Sequence, residues 1–145
     1  MLAASHALIG ASIASFIPNP WIGFPLAILT HFLGDLFPHW DAHTRHSIKT
    51  KPAIIAISLT DAFIGFLIGW LIFHSSTNHY YLLAMMFTSQ LPDWLEAPYH
   101  VFDWHFFPFS SIKKLQSRLH HKLDWPWGLF SQLIIVAIIV LSTKL

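Results

Sequence analysis

The chain has 145 residues, of which 54% are hydrophobic and only 10% are Asp, Glu, Lys or Arg. A soluble surface needs about a quarter to a third charged residues, so this composition argues against an ordinary soluble domain and for an integral membrane protein. A formal net charge of +1 gives no electrostatic footprint for nucleic acid, and the absence of cysteine removes disulfides and thiolate metal sites alike.

Punctuation by proline marks five apolar segments within one domain, residues 1–145. The first runs from about Leu2 to Ile17 and stops at Pro18-Asn19-Pro20. No Lys or Arg precedes it and His6 interrupts it, so the layout of a signal peptide is missing and the segment is expected to stay on the mature protein. The second, from about Trp21 to Phe37, ends at Pro38 and should pair with the first as a helical hairpin. The third, Pro52 to Phe73, is the clearest span: about 20 residues cross a bilayer core, and this one carries a single charge, Asp61. The fourth runs from about His79 to Leu95 across Pro92. The fifth runs from about Pro126 to Ser142, after a connection rich in aromatics and histidine. Segments one, two and four are short for spanning, which predicts tilt or partial insertion. The expected fold is an all-α, polytopic membrane bundle of about five helices.

Basic residues set the expected orientation. Arg45, Lys49 and Lys51 follow segment two, and Lys113, Lys114, Arg118 and Lys122 follow segment four. Five crossings put both loops and the N-terminus on the cytoplasmic side and only Lys144 outside, in a prokaryotic inner (cell) membrane. A weak internal repeat accompanies this pattern: Ser5 to Ile13 resembles Thr60 to Ile68, and Phe37 to Trp40 resembles Leu91 to Trp94. It suggests two duplicated hairpins plus a C-terminal helix, with His6 in register with Asp61 and His39 with Asp93.

Eleven histidines concentrate the chemistry. His31 and Asp35 are four apart, which places both on one helix face, a spacing that suits a shared metal ion as well as a buried hydrogen-bonded pair. His39 and Asp41 follow as the helix exits. Asp61 lies about two turns into segment three from the same side. An intramembrane carboxylate costs several kcal/mol unless it is paired, hydrated or bound to a cation, so Asp61 reads either as a site residue or as an interhelical hydrogen-bond partner. Gly65 and Gly69, on about the same face, would admit a neighbouring helix closely. Asp93 lies at the cytoplasmic end of segment four. Of the adjacent His120 and His121, successive residues point about 100° apart on a helix, and His120 is favoured to face the bundle. His100, Asp103 and His105 lie in an aromatic stretch that reads as an interfacial belt. His43, His46, His74 and His79 read as solvated loop residues.

The expected metal ligands are therefore His6, His31, Asp35, His39, Asp61, Asp93 and His120, enough for two ions. Nitrogen and oxygen donors without sulfur point to a divalent metal, zinc first, with manganese or iron as alternatives. Such an ion activates water and polarises a phosphoryl oxygen, and Asp61 or Asp93 could orient the water or take its proton.

The combination of "SHALIGA", "THFLGDLFPHWD" and "LPDW" resembles the membrane-bound metal-dependent hydrolase family, itself suggested to be related to zinc phospholipase C and single-strand nucleases. The resemblance implies a multi-pass helical enzyme with metal ligands at His6, at the His31 and Asp35 pair, and at Asp93. It covers residues 1–41 well and the remainder thinly. The family's Gly-His-Arg-x-x-Thr-His segment has no counterpart here, Glu96 stands at a shifted position after "LPDW", and the His-x-x-x-Asp helix precedes that element. The expectation is a metal-dependent hydrolase of phosphate esters, lipid headgroups among them, with membrane lipid as partner. A small proton or divalent-ion transporter and a non-catalytic membrane scaffold are the alternatives.

Overall fold

The computed structural model describes residues 1–41 and 50–143. His43, Arg45, His46, Lys49 and Lys144 lie outside the described residues, so the orientation argued from three of those basic residues has no structural counterpart. The described chain is all-helical: α1 (Ala3–Phe16), α2 (Pro20–Leu36), α3 (Lys51–Phe73), α4 (His79–Ser89), α5 (Leu91–Val101), α6 (Phe109–Leu119) and α7 (Trp127–Ser142). The extended pairing it contains is an isolated bridge between His39 and Lys122.

Local chemistry sets the boundaries. Proline opens α2, α3 and α5, where a missing N–H costs nothing. Asn19 caps α2 by accepting from the Trp21 backbone at 3.0 Å, and Asn78 caps α4 by accepting from Tyr81 at 3.1 Å.

Two differences from the sequence expectation follow from the same rules. The fourth segment is two helices that part at Gln90, because Pro92 cannot continue the hydrogen-bond ladder of α4. The long connection contains α6, whose polar and basic side chains alternate with Ile112, Leu115 and Leu119 and so fall below any search for apolar runs. The two repeat blocks also differ locally. Phe37 to Trp40 leave a helix in extended form, whereas Leu91 to Trp94 begin one.

Helix α1 is the central element, packed by α2, α3, α4 and α7. Its small side chains allow this. A Cβ on Gly65 of α3 would meet the Ala4 Cα at 2.4 Å, and one on Gly10 would meet the Met85 carbonyl of α4 at 2.6 Å. Glycine is thus required by close approach. Phe73, Leu82, Met85 and Met86 are fully buried around it and make the apolar half of the core. Near the start of α1 and the end of α2 the core turns polar, with Ser5, His6, His31, Asp35 and Gln132 buried.

Among the described residues, α3 is the one helix both long and apolar enough to cross a membrane, at 23 residues. Apolar helices α1 and α7 have 14 and 16 residues. At 1.5 Å per residue they reach roughly 21 and 24 Å, short of a hydrocarbon core of about 30 Å. Five full crossings are therefore not what these helix lengths support.

Candidate metal centre

The buried stripe of α2 is Gly23, Ala27, His31, Gly34 and Asp35, a helical spacing that turns small residues and two ligands toward α1 and α4. His6 of α1 stacks on His31 with ring centroids 3.9 Å apart. Beyond Leu36 the chain turns extended, and a strap formed by residues 120–123 lies beside it. The His121 N–H donates to the Asp35 carbonyl at 3.2 Å, the His39 N–H to the His121 carbonyl at 3.1 Å, and the Leu123 N–H to the His39 carbonyl at 2.8 Å. Gly128 of α7 makes this possible, since a Cβ there would meet the Trp40 nitrogen at 2.5 Å.

The Asp35 carboxylate is the hub. Its Oδ1 lies 3.3 Å from His6 Nε2 and 3.9 Å from His39 Nε2, and it also receives the amino group of Met1. Its Oδ2 lies 3.1 Å from His120 Nε2 and 3.5 Å from His31 Nε2. Asp93, in the first turn of α5, places Oδ1 3.5 Å from His31 Nε2. Two sets of donor atoms result, His6 with His31 and Asp93, and Asp35 with His39 and His120; within each, all ligand atoms lie within 4.8 Å of one another.

The tautomers favour a cation. His31 Nδ1 donates to the Ser89 carbonyl at 2.8 Å and His39 Nδ1 to the Phe37 carbonyl at 2.7 Å. A carbonyl only accepts, so the ring proton sits on Nδ1 and the neutral ring turns the Nε2 lone pair to the cluster. Burial pushes the pKa of His39 down to about 4, so its ring is neutral at pH 7. Its lone pair then faces a carboxylate, a repulsive arrangement that a positive ion between the two reverses. His6 Nδ1 and Nε2, Asp35 Oδ2 and His39 Nε2 are all buried without a hydrogen bond. Such atoms cost about 1–3 kcal/mol each when left unsatisfied, and a divalent ion satisfies several at once. The donor set, imidazole and carboxylate, fits zinc or a neighbouring first-row metal.

The centre is closed on the α1 and α2 side, where His6, His31, Asp35 and His39 are at most 1% exposed. It opens between the side chains of His120, 17% exposed, and Asp93, 35% exposed.

Six of the seven residues expected as ligands thus come together; Asp61 does not. Its Oδ2 accepts the Ala3 N–H at 2.6 Å. Helix α1 begins after Leu2, which offers no capping side chain, and Asp61 reaches across from α3 to satisfy the free amide there. That position is a cap, and Asp61 belongs to neither donor set. Of the adjacent pair, His120 reaches Asp35 while the His121 ring stays exposed on the Leu119 carbonyl at 3.1 Å. Asp41 turns to Lys122 at 3.0 Å.

The aromatic connection is a separate feature. His100 and Lys113 hold Glu96 at 2.8 and 3.0 Å. Lys51, at the start of α3, pairs with Asp103 at 2.5 Å. His105 packs on Tyr99, with ring centroids 4.5 Å apart. At the other end of the bundle Trp70 packs on His74 and His79, whose own contact is a 2.9 Å hydrogen bond from His79 Nε2 to the His74 carbonyl.

One buried polar residue beside the donors escaped sequence reasoning. Gln116 of α6 donates from Nε2 to Asp93 Oδ1 at 3.0 Å and lies 3.3 Å from His31 Nε2. The available signal was the four-residue spacing of Ile112, Gln116 and His120, one face of a helix.

No family model, curated protein or solved structure matches this chain, so its function is argued from the chemistry of the cluster.

Proposed function

We propose that the chain is a membrane-embedded, metal-dependent hydrolase of phosphate esters, with lipid headgroups as the substrate class. The observation that carries this reading is the Asp35 carboxylate, set within 3.9 Å of four imidazole nitrogens and flanked by two donor sets. Its Oδ1 lies beside His6 and His39 and its Oδ2 beside His120 and His31, so each oxygen meets one histidine of either set, and these residues would hold one or two divalent ions, zinc being the first choice. Ions held there supply Lewis acidity and lower the pKa of water toward neutrality.

The protein's own part is to orient and to move protons. His6, His31 and His39 are fixed by packing and backbone hydrogen bonds, so reorganisation on substrate arrival is small. The partly exposed side chains of His120 and Asp93 mark the side from which a phosphate group would approach. Asp93 at that rim takes the proton of the attacking water as its oxygen bonds to phosphorus. The ester P–O bond opposite breaks, and the leaving alkoxide takes its proton from solvent.

Membrane placement rests on α3 and on the apolar side chains left exposed around the bundle, among them Phe63 at 66%, Leu71 at 64% and Ile138 at 62%. A groove of about 360 Å³ lined by Leu2, Trp40, Ile57 and Ile64, with Thr60 and Asp61 as its polar members, gives room for a largely apolar chain. Lys113, Lys114, Arg118 and Lys122 flank the opening in sequence, which supports a cytoplasmic face for the site. Transport is disfavoured because, among the described residues, the buried ionisable side chains His6, His31, Asp35 and His39 all belong to the one cluster, while Phe73, Leu82 and Met85 fill the apolar half of the core.

The test is elemental analysis of detergent-purified, tag-free protein beside His31→Ala, followed by a screen of phosphate-ester lipids. One or two metal ions per chain, largely lost in the variant, together with release of headgroup products, is the expected result. Wild type that neither carries nor binds zinc, manganese or iron overturns the reading.

A further inference from the structure

Gln116 is a neutral side chain that ends among the histidines and carboxylates of the cluster. The carboxamide is 1% exposed and ends between two of the donor atoms already described. The three atoms form a triangle with edges of 3.5 Å (His31 Nε2 to Asp93 Oδ1), 3.3 Å (Gln116 Nε2 to His31 Nε2) and 3.0 Å (Gln116 Nε2 to Asp93 Oδ1). Ligands of a tetrahedral ion with bonds of about 2.0–2.1 Å stand about 3.3–3.4 Å apart. The triangle is therefore close to one face of a coordination tetrahedron.

We propose that Gln116 binds the divalent ion of the His6, His31 and Asp93 set through its carboxamide oxygen. This rests on the metal-centre reading above. A half-turn of the carboxamide exchanges nitrogen for oxygen at the same point, and the two ends differ little in shape. The oxygen is a neutral donor and adds no charge to a site already rich in carboxylate.

The register of α6 gives an independent reason. Gln116 and His120 are one helical turn apart. His120 is the C-cap of α6 and stands 3.1 Å from Asp35 Oδ2 in the other donor set. Helix α6 so delivers one donor to each set. The bond from the His120 N–H to the Gln116 carbonyl, 2.9 Å, holds the two in a fixed relation. The amphipathic character of α6 follows from this duty: Gln116 faces the cluster while Lys114 and Arg118 face out.

The alternative role is a hydrogen-bond donor that merely orients Asp93, and substitution separates the two. A glutamate at this position can coordinate but, ionised, cannot donate to Asp93; a leucine can do neither. The experiment titrates Co²⁺ into detergent-solubilised wild type, Gln116→Leu and Gln116→Glu, reading the visible d–d absorption of the bound ion, with Zn²⁺ affinity from competition with a chelating indicator. Far-ultraviolet circular dichroism checks the fold. The expected result is a loss of about tenfold or more in affinity for Gln116→Leu, with a changed Co²⁺ band. In Gln116→Glu affinity is retained or increased. Unchanged affinity and spectrum in Gln116→Leu, or a Gln116→Glu variant as weak as Gln116→Leu, overturns the ligand role and leaves the metal centre standing. Wild type that binds neither ion overturns the metal centre itself.

Discussion

Replacing Asp35 by asparagine tests the centre at its hub. The carboxylate has four imidazole Nε2 atoms within 3.9 Å of its two oxygens. Asparagine keeps the shape, removes the charge and turns an NH₂ toward atoms that need a cation. An ion that binds the folded state alone stabilises it by RT ln(1 + [L]/Kd), about 2.7 kcal/mol at a hundred times Kd. For a chain of this size about 2–4 °C accompanies each kcal/mol, so zinc at that level should raise the wild-type Tm by roughly 5–11 °C over EDTA-treated protein. If Asp35→Asn weakens affinity about a hundredfold, the same zinc concentration equals Kd, and the gain falls to about 0.4 kcal/mol, or less than about 2 °C. The assay is a thermal melt in detergent, with and without zinc, at matched protein concentration. Equal zinc-induced shifts in the two proteins would refute the assignment of Asp35 as hub, and the absence of a shift in wild type would refute the centre.

Two further outcomes separate structural carboxylates from the centre. Asp61→Ala should leave the metal content unchanged while lowering stability by about 0.5–2 kcal/mol, the usual cost of a lost cap, read from zinc-saturated melts and elemental analysis of the same samples. Glu96 should make stability depend on acid: burial raises its pKa, but hydrogen bonds and charges from His100 and Lys113 outweigh this and hold the carboxyl below its usual value. Its contribution is then complete above the unfolded value of about 4.3 and is lost as pH falls from there toward the folded value. In EDTA, Glu96→Gln should lie below wild type at pH 7 and converge on it at low pH.

The contrast between Asp35 and Asp61 shows which parts of such a site a sequence can carry. Both are ionisable residues within apolar helices, and composition ranks them alike. Asp35 was legible because its partner His31 is one turn away on the same helix, so a local rule brings the two together. The partner of Asp61 is the first amide of α1, distant in sequence, and no spacing announces that a helix will start there without a cap of its own. The same division holds for the fold. Proline placement marked the end of α1, both ends of α2 and the start of α3 within one residue, since proline acts on its immediate neighbours. Helix α6 was missed because its role depends on packing: a stretch with two lysines and an arginine reads as solvent-exposed loop until α5 folds against it and turns Gln116 inward. A neutral amide carries no charge and no apolar surface to stand out by. Of the side chains gathered around His31, Gln116 has as its sequence signal the four-residue spacing to Ile112 and His120, which marks a helix face without saying what that face meets.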